Sequence, residues 1–229
     1  MIKKILIGSD PLMTQEREQS SNNRWLLDLL RRPIARATGL TPELMRSEFG
    51  IEGVLDREAF FGRSGISLDR NATQFWFDDQ LITGEAKKYL ARFFRPDTLV
   101  VGYELSAQTR RLLDDLGVPY IDIWLHPVRF MDDVMFAFNS NDLEVRGRMF
   151  QFDVPEDQMF LHADRVKIQP CKGWRRVEAD IEENSALFVG QMLNDKSVCR
   201  DGHMLNILDF PDRVEEVAET HARLYYARH

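Results

Sequence analysis

Three short segments place reactive side chains directly after an apolar run. Glu104 follows Leu99-Val-Val-Gly102 across Tyr103. A carboxylate just past a buried strand stands where α/β enzymes keep acids and bases. The structural alternative is a helix N-terminal acid, favoured by the macrodipole of the helix behind it. His126-Pro-Val-Arg129 follows the run ending at Leu125. A histidine and an arginine there suit charge-assisted binding of a carboxylate or phosphate. Alternatively, His126 is satisfied within its loop and Arg129 pairs with Asp132 or Asp133. Gly190-Gln-Met-Leu-Asn-Asp195 follows Ala186-Leu-Phe-Val189. Gln191 and Asp195 both fall in that loop, where an aspartate suits a nucleophile or a ribose ligand. Asn194 or Asp195 as an N-cap is the structural alternative.

Other chemistries find little support. Cys171 and Cys199, the two cysteines, make neither a disulfide framework nor a Cys-rich zinc site. His203 and His221 have no recognised ligand spacing, so no metal is expected. Walker A, GxGxxG, GxSxG and HExxH motifs are absent, and Gly8-Ser-Asp10 and Gly62-Arg-Ser-Gly65 are too short to count as phosphate loops. Thirty Lys+Arg against 37 Asp+Glu gives a net charge of −7, which argues against a protein that coats nucleic acid. No apolar run approaches the roughly 20 residues of a membrane helix, and the N-terminal apolar run is too short for a signal peptide. The expectation is a soluble cytoplasmic protein. Peripheral association with the inner face of the cytoplasmic membrane, through partners, stays open.

The elements that must position these residues follow from the pattern. With 229 residues, 44% of them apolar, the chain has ample material for a core. Ile5-Leu-Ile-Gly8 reads as a buried first strand, and the stretch around Trp25–Arg32 as a helix that Pro33 bends or restarts. Leu44, Phe49, Phe60 and Phe61 are expected to anchor the region that follows. Glu85–Phe94 reads as an amphipathic helix, Thr98–Gly102 as a strand, and Ser106–Leu116 as a helix with Ser106 its N-cap and Gly117 its C-cap. Val118–Leu125 is the next strand. This strand–helix–strand order predicts a parallel sheet with a right-handed crossover. Val166–Pro170 reads as a further strand, and Asp201-Gly202-His203 as a turn opening a helix. Glu178–Ser185 is an acidic connector, after which Ala186–Gly190 restarts the strand–Gly–loop pattern, and Val214–Arg228 reads as a helix running into a strand or loop. The fold class expected is α/β: a Rossmann-like acceptor-side domain over 1–182 and the start of a second Rossmann-like domain over 183–229. The short second part suggests a truncated chain.

Taken together, the motifs resemble those of the retaining β-Kdo transferases of capsule and O-antigen polysaccharide biosynthesis. Val189-Gly-Gln191, Asp195-Lys-Ser197 and the Gly202 loop resemble that family's Val-Gly-Gln-x-x-x-Asp-x-Ser element. Tyr225-Tyr-Ala-Arg228-His229 stands where its Lys-Pro-His-Pro element would begin. Gly102-Tyr-Glu104 and Ile123-Trp-Leu-His126-Pro also resemble the family. The resemblance implies a GT-B-like layout of two Rossmann-like domains and CMP-β-Kdo as donor, with no further cofactor. Asp195 would be the nucleophile and Glu104 the opposing acid/base or acceptor-orienting carboxylate. Gln191 would bind substrate, His229 would contact the CMP phosphate, and Arg228 would help neutralise it. His126 and Arg129 would line the acceptor side or bind the Kdo carboxylate. The partners implied are the nucleotide sugar and a glycan or glycolipid acceptor. A non-catalytic, acceptor-binding α/β domain that works with a separate catalytic chain is the alternative.

Overall fold

The computed structural model describes residues 1–12, 16–65, 82–126, 135–168, 181–190, 198–200 and 203–227. The chain divides into two compact units, Met1–Pro170 and Cys171–His229.

The first unit is α/β. Its strands are β1 (Lys4–Ser9), β2 (Glu43–Leu44), β3 (Thr98–Tyr103), β4 (Tyr120–Leu125) and β5 (Phe136–Ser140). They form one sheet in the order β2-β1-β3-β4-β5, parallel through β4, with β5 antiparallel at the edge. The described helices are α1 (Glu16–Thr38), α2 (Arg57–Arg63), α3 (Gly84–Leu90), α4 (Ala107–Asp115), α5 (Leu143–Met149) and α6 (Glu156–Ile168).

Strand periodicity separates the side chains into two cores. Ile5, Ile7, Val101 and Ile123 point to the face that Leu26, Leu30 and Ile34 of α1 cover. Leu6 and Val100 point to the other, packed by Phe60 and Phe61 of α2, Leu90 of α3, and Leu112 and Leu113 of α4. Cover on both faces is why β1, β3 and β4 read as near-continuous apolar runs. Caps fix the helix starts: Asp56, Thr83 and Ser106 accept from Ala59, Ala86 and Thr109 amides. Gly117, at φ +64°, turns the chain out of α4 in the left-handed conformation that a C-terminal glycine supplies.

Four local expectations are corrected. Phe49 lies outside the buried core, being 70% exposed, whereas Phe60 and Phe61 are fully buried. The helix expected to reach Phe94 closes at Leu90, and a turn delivers the buried Phe94. Val166–Ile168 are not a strand but the last residues of α6, because a helix already running from Glu156 overrides a short β-branched stretch. His203–Met204 form a two-residue strand rather than a helix start. Pro33 lies within a helix that continues to Thr38.

The second unit holds β6 (Ser185–Val189) and β9 (Arg223–Ala227), paired parallel with Val189 opposite Ala227. It also holds the small β7 (Cys199–Arg200) and β8 (His203–Met204) ladder, and α7 (Pro211–Thr220). Phe188 stacks on Tyr226 across the β6–β9 pair. No helix among the described residues is long and apolar enough to cross a membrane.

Candidate functional site at the carboxyl ends of the strands

The chain leaves β1 toward β2 on one side and returns to β3 on the other. That reversal makes the carboxyl ends of β1 and β3 the switch point of the sheet, the position where open α/β sheets bind ligands. Gly8 and Gly102 face each other there. A Cβ on Gly102 would stand 2.4 Å from the Leu105 side chain, and one on Gly8 would stand 2.5 Å from Asn23 Oδ1. The absence of side chains lets Leu105 fold back over β3 and Asn23 reach the β1 end. There Asn23 accepts the Ser9 amide and donates to Met45 O. The Ser9 hydroxyl, almost fully buried, meets no hydrogen-bond partner among the described residues.

Glu104 lies one residue beyond β3, partly buried, at φ +53°. Asn184 at φ +58° is the other described non-glycine residue in left-handed backbone. Asparagine visits that region readily; glutamate does not. The Glu104 amide donates to Ile123 O on β4 at 2.9 Å.

Beneath this turn sit two carboxylates, Asp10 and Asp122, both 0% exposed. Asp10 follows β1. Its Oδ1 accepts the Leu12 amide at 2.9 Å and the Thr109 hydroxyl at 3.0 Å, and its Oδ2 accepts the Ser106 amide at 2.7 Å. The Ser106 hydroxyl donates in turn to Thr109 Oγ1 at 2.9 Å. Asp122, inside β4, accepts the Leu105 amide on Oδ1 at 2.9 Å and the Trp124 indole N–H on Oδ2 at 2.6 Å. Arg110 Nη1 stands 3.4 Å from Oδ2, its guanidinium over the Trp124 ring. Burial pushes the Asp122 pKa up to about 6. The Trp124, Leu105 and Arg110 contacts pull against that rise, and Asp10 adds to it.

His126 directly follows β4, and its amide donates to Met135 O at 3.0 Å. It lines a cavity of about 780 Å³ whose wall includes Phe136, Phe138, Arg146, Met149 and Phe150. That volume is in the range of small-molecule sites. Glu104 and His126 therefore stand at the ends of adjacent parallel strands. Arg129, Asp132, Asp133, Gln191, Asn194, Asp195, Arg228 and His229 lie outside the described residues, as do Cys171 and the Asp201-Gly202 turn. Among the described residues no cluster of His, Cys, Asp or Glu is placed to hold a metal ion.

Asp10 and Asp122 escape a reading by motif. The usable signal for Asp122 is its place in Tyr120-Ile-Asp-Ile-Trp124, a charge inside an apolar strand. Such a residue must find partners in the fold. Asp10, in Gly8-Ser-Asp-Pro11, looks like an ordinary turn aspartate.

No family model matches the chain, and neither a curated protein nor a solved structure matches it.

Proposed function

We propose that the protein is a retaining glycosyltransferase that moves Kdo from CMP-β-Kdo to a surface-polysaccharide glycan, with two Rossmann-like domains in a GT-B-like layout. The observation that carries this reading is Glu104. It is a glutamate kept in left-handed backbone beyond the central strand, at the switch point of the sheet. Such a conformation costs on the order of 1 kcal/mol or more and recurs at functional sites. The residue is also the one that the resemblance marks as the acid/base or acceptor-orienting carboxylate.

The chemistry is a double displacement. The Asp195 carboxylate attacks the anomeric carbon of Kdo, the bond to the CMP phosphate breaks, and CMP leaves with that electron pair. The acceptor hydroxyl then displaces Asp195 from the same carbon while its proton passes to Glu104. Two inversions give net retention, the logic of retaining glycosidases. Gln191, Arg228 and His229 are assigned to the donor, the last two to its phosphate. His126 and Arg129 are assigned to the acceptor side or the Kdo carboxylate. A second observation supports the grouping. β6 and β9 are parallel and finish side by side, so the sequences that carry Asp195 and Arg228 each follow a strand ending at the same edge of their unit.

The test is intact-mass spectrometry and CMP release, using the full-length gene product with CMP-Kdo and a synthetic glycan acceptor. Wild type is expected to transfer one Kdo. Glu104→Gln is expected to lose roughly 10²–10⁴ in kcat, the usual worth of a general acid–base group. Asp195→Ala is expected to abolish both transfer and CMP release. Acceptor binding without any CMP release from wild type would establish the non-catalytic acceptor-binding domain instead.

A further inference from the structure

The turn that carries Glu104 has three successive amides, and each is tied to a different residue beneath it. Glu104 N–H donates to Ile123 O, Leu105 N–H to Asp122 Oδ1, and Ser106 N–H to Asp10 Oδ2, at 2.9, 2.9 and 2.7 Å. Two of the three acceptors are fully buried carboxylates. Burying a carboxylate is an expensive way to satisfy an amide, since the charge must shed its water. A backbone carbonyl would do the same for less. What a carboxylate adds is strength: charge-assisted bonds are shorter and about twice as strong as neutral ones.

Both carboxylates are themselves held from a second side. Thr109 and the Leu12 amide fix Asp10, and the Trp124 indole and Arg110 fix Asp122. The groups facing Asp122 are thus Arg110 from α4, Trp124 from its own strand and Asp10 from the end of β1. The Leu105 side chain, fully buried over Gly102, supplies the apolar half of the same anchor.

We infer that Asp10 and Asp122 are positioning residues, a carboxylate clamp that holds Glu104 in left-handed backbone and so presents its side chain in one orientation. The inference rests on the proposed role of Glu104. Without the clamp the turn would relax toward negative φ, and the Glu104 side chain would swing with it. Displacing a reacting group by about 1 Å can cost 10²-fold in rate.

Asp10→Asn and Asp122→Asn test this in the full-length protein. The first substitution leaves one oxygen at position 10, so either Ser106 N–H or the Leu12 and Thr109 donors meet an amide NH₂. The second sets the same conflict between Leu105 and Trp124. Two measurements are made: amide hydrogen exchange residue by residue, and steady-state transfer kinetics beside Glu104→Gln. The expected result is about tenfold faster exchange at Ser106 in Asp10→Asn and at Leu105 in Asp122→Asn, the loss of one charge-assisted bond. Protection at Val100 and Val101 should be unchanged. In both variants kcat should fall by about 10- to 100-fold with the donor KM within about threefold, since binding survives while orientation is lost.

Unchanged exchange at both amides would overturn the clamp. Faster exchange with wild-type kcat, in an enzyme that Glu104→Gln inactivates, would overturn the positioning role. Full activity in Glu104→Gln would remove the reading of Glu104, and the positioning role with it, whatever the exchange shows. Thr109→Val is the gentler companion should either aspartate variant fail to fold. It deletes the hydroxyl bond to Asp10 and the acceptor of the Ser106 hydroxyl, leaves both carboxylates in place, and should move Ser106 exchange and kcat in the same directions by less.

Discussion

Asp122 holds its turn at an electrostatic cost that pH can expose. Its pKa stands at about 6 in the folded protein against an ordinary value of 3.8, chiefly because burial strips water from the charged form. Between those values the folded chain keeps a proton that the unfolded chain has released. The contribution of this group to stability is therefore full below about 3.8 and is lost as the pH rises through 6. The gap corresponds to roughly 3 kcal/mol. Asp122→Asn cannot titrate. Urea unfolding of the two proteins from about pH 3.5 to 7.5 should show their stability difference moving in favour of the variant by up to that amount, with the change centred between about 4 and 6. A difference that stays flat across the range would mean that the folded carboxylate titrates normally. The same ionisation that costs stability is what lets Asp122 accept from Leu105, Trp124 and Arg110 together. Residue-scale stability and the order of the Glu104 turn thus respond to acid in opposite directions.

At the scale of the element, β3 and its following turn form one device, and Gly102 is where it is most easily jammed. A methyl at 102 would stand 2.4 Å from Leu105 Cδ2, and Leu105 is fully buried with its amide held by Asp122. Gly102→Ala should therefore destabilise by about 1–3 kcal/mol, the usual cost of overpacking. Gly147 is the control. It lies inside the exposed α5, where a Cβ would meet nothing within 4 Å, so Gly147→Ala should stabilise by about 0.5–1 kcal/mol. Denaturation midpoints moving in opposite directions are the expected outcome; equal shifts would mean that Leu105 moves aside freely. The elements around this device were legible in the sequence because each is a short apolar run punctuated by glycine or a capping residue: Ile5–Gly8, Thr98–Gly102, Ser106, Gly117. What was not legible depends on partners distant in sequence. β5 is an edge strand, Phe136-Ala-Phe-Asn-Ser, whose pairing with β4 no local pattern announces. Val166–Ile168 has strand-like residues but belongs to a helix begun at Glu156. Glu104 could be picked out from its place after a strand, whereas Asp10 and Asp122 come together only when the residues that open α4 bond to the end of β1 and to β4.

For the whole molecule, the two units differ in what they bury. Every described apolar residue that is fully enclosed lies between Ile5 and Ile123, in the two cores of the five-stranded sheet. In the second unit the β6–β9 pair leaves Leu187 and Val189 61% exposed and Tyr226 56% exposed. A parallel sheet normally needs both faces covered, and two strands alone are marginal in water. The first unit therefore has the apolar burial to fold without the second, and the described part of the second does not. A fragment covering Met1–Pro170 should unfold in a single cooperative transition, with a midpoint within a few degrees of the main transition of the full chain. Cys171–His229 alone should show no cooperative melt. Near-UV circular dichroism and calorimetry on both fragments decide it. The clamp of Asp10 and Asp122 lies wholly in the first fragment, so slow exchange at Leu105 and Ser106 should survive there. Loss of that protection in a folded Met1–Pro170 would mean that the Glu104 turn depends on the second unit, and orientation of the carboxylate would then belong to the assembled molecule rather than to the sheet.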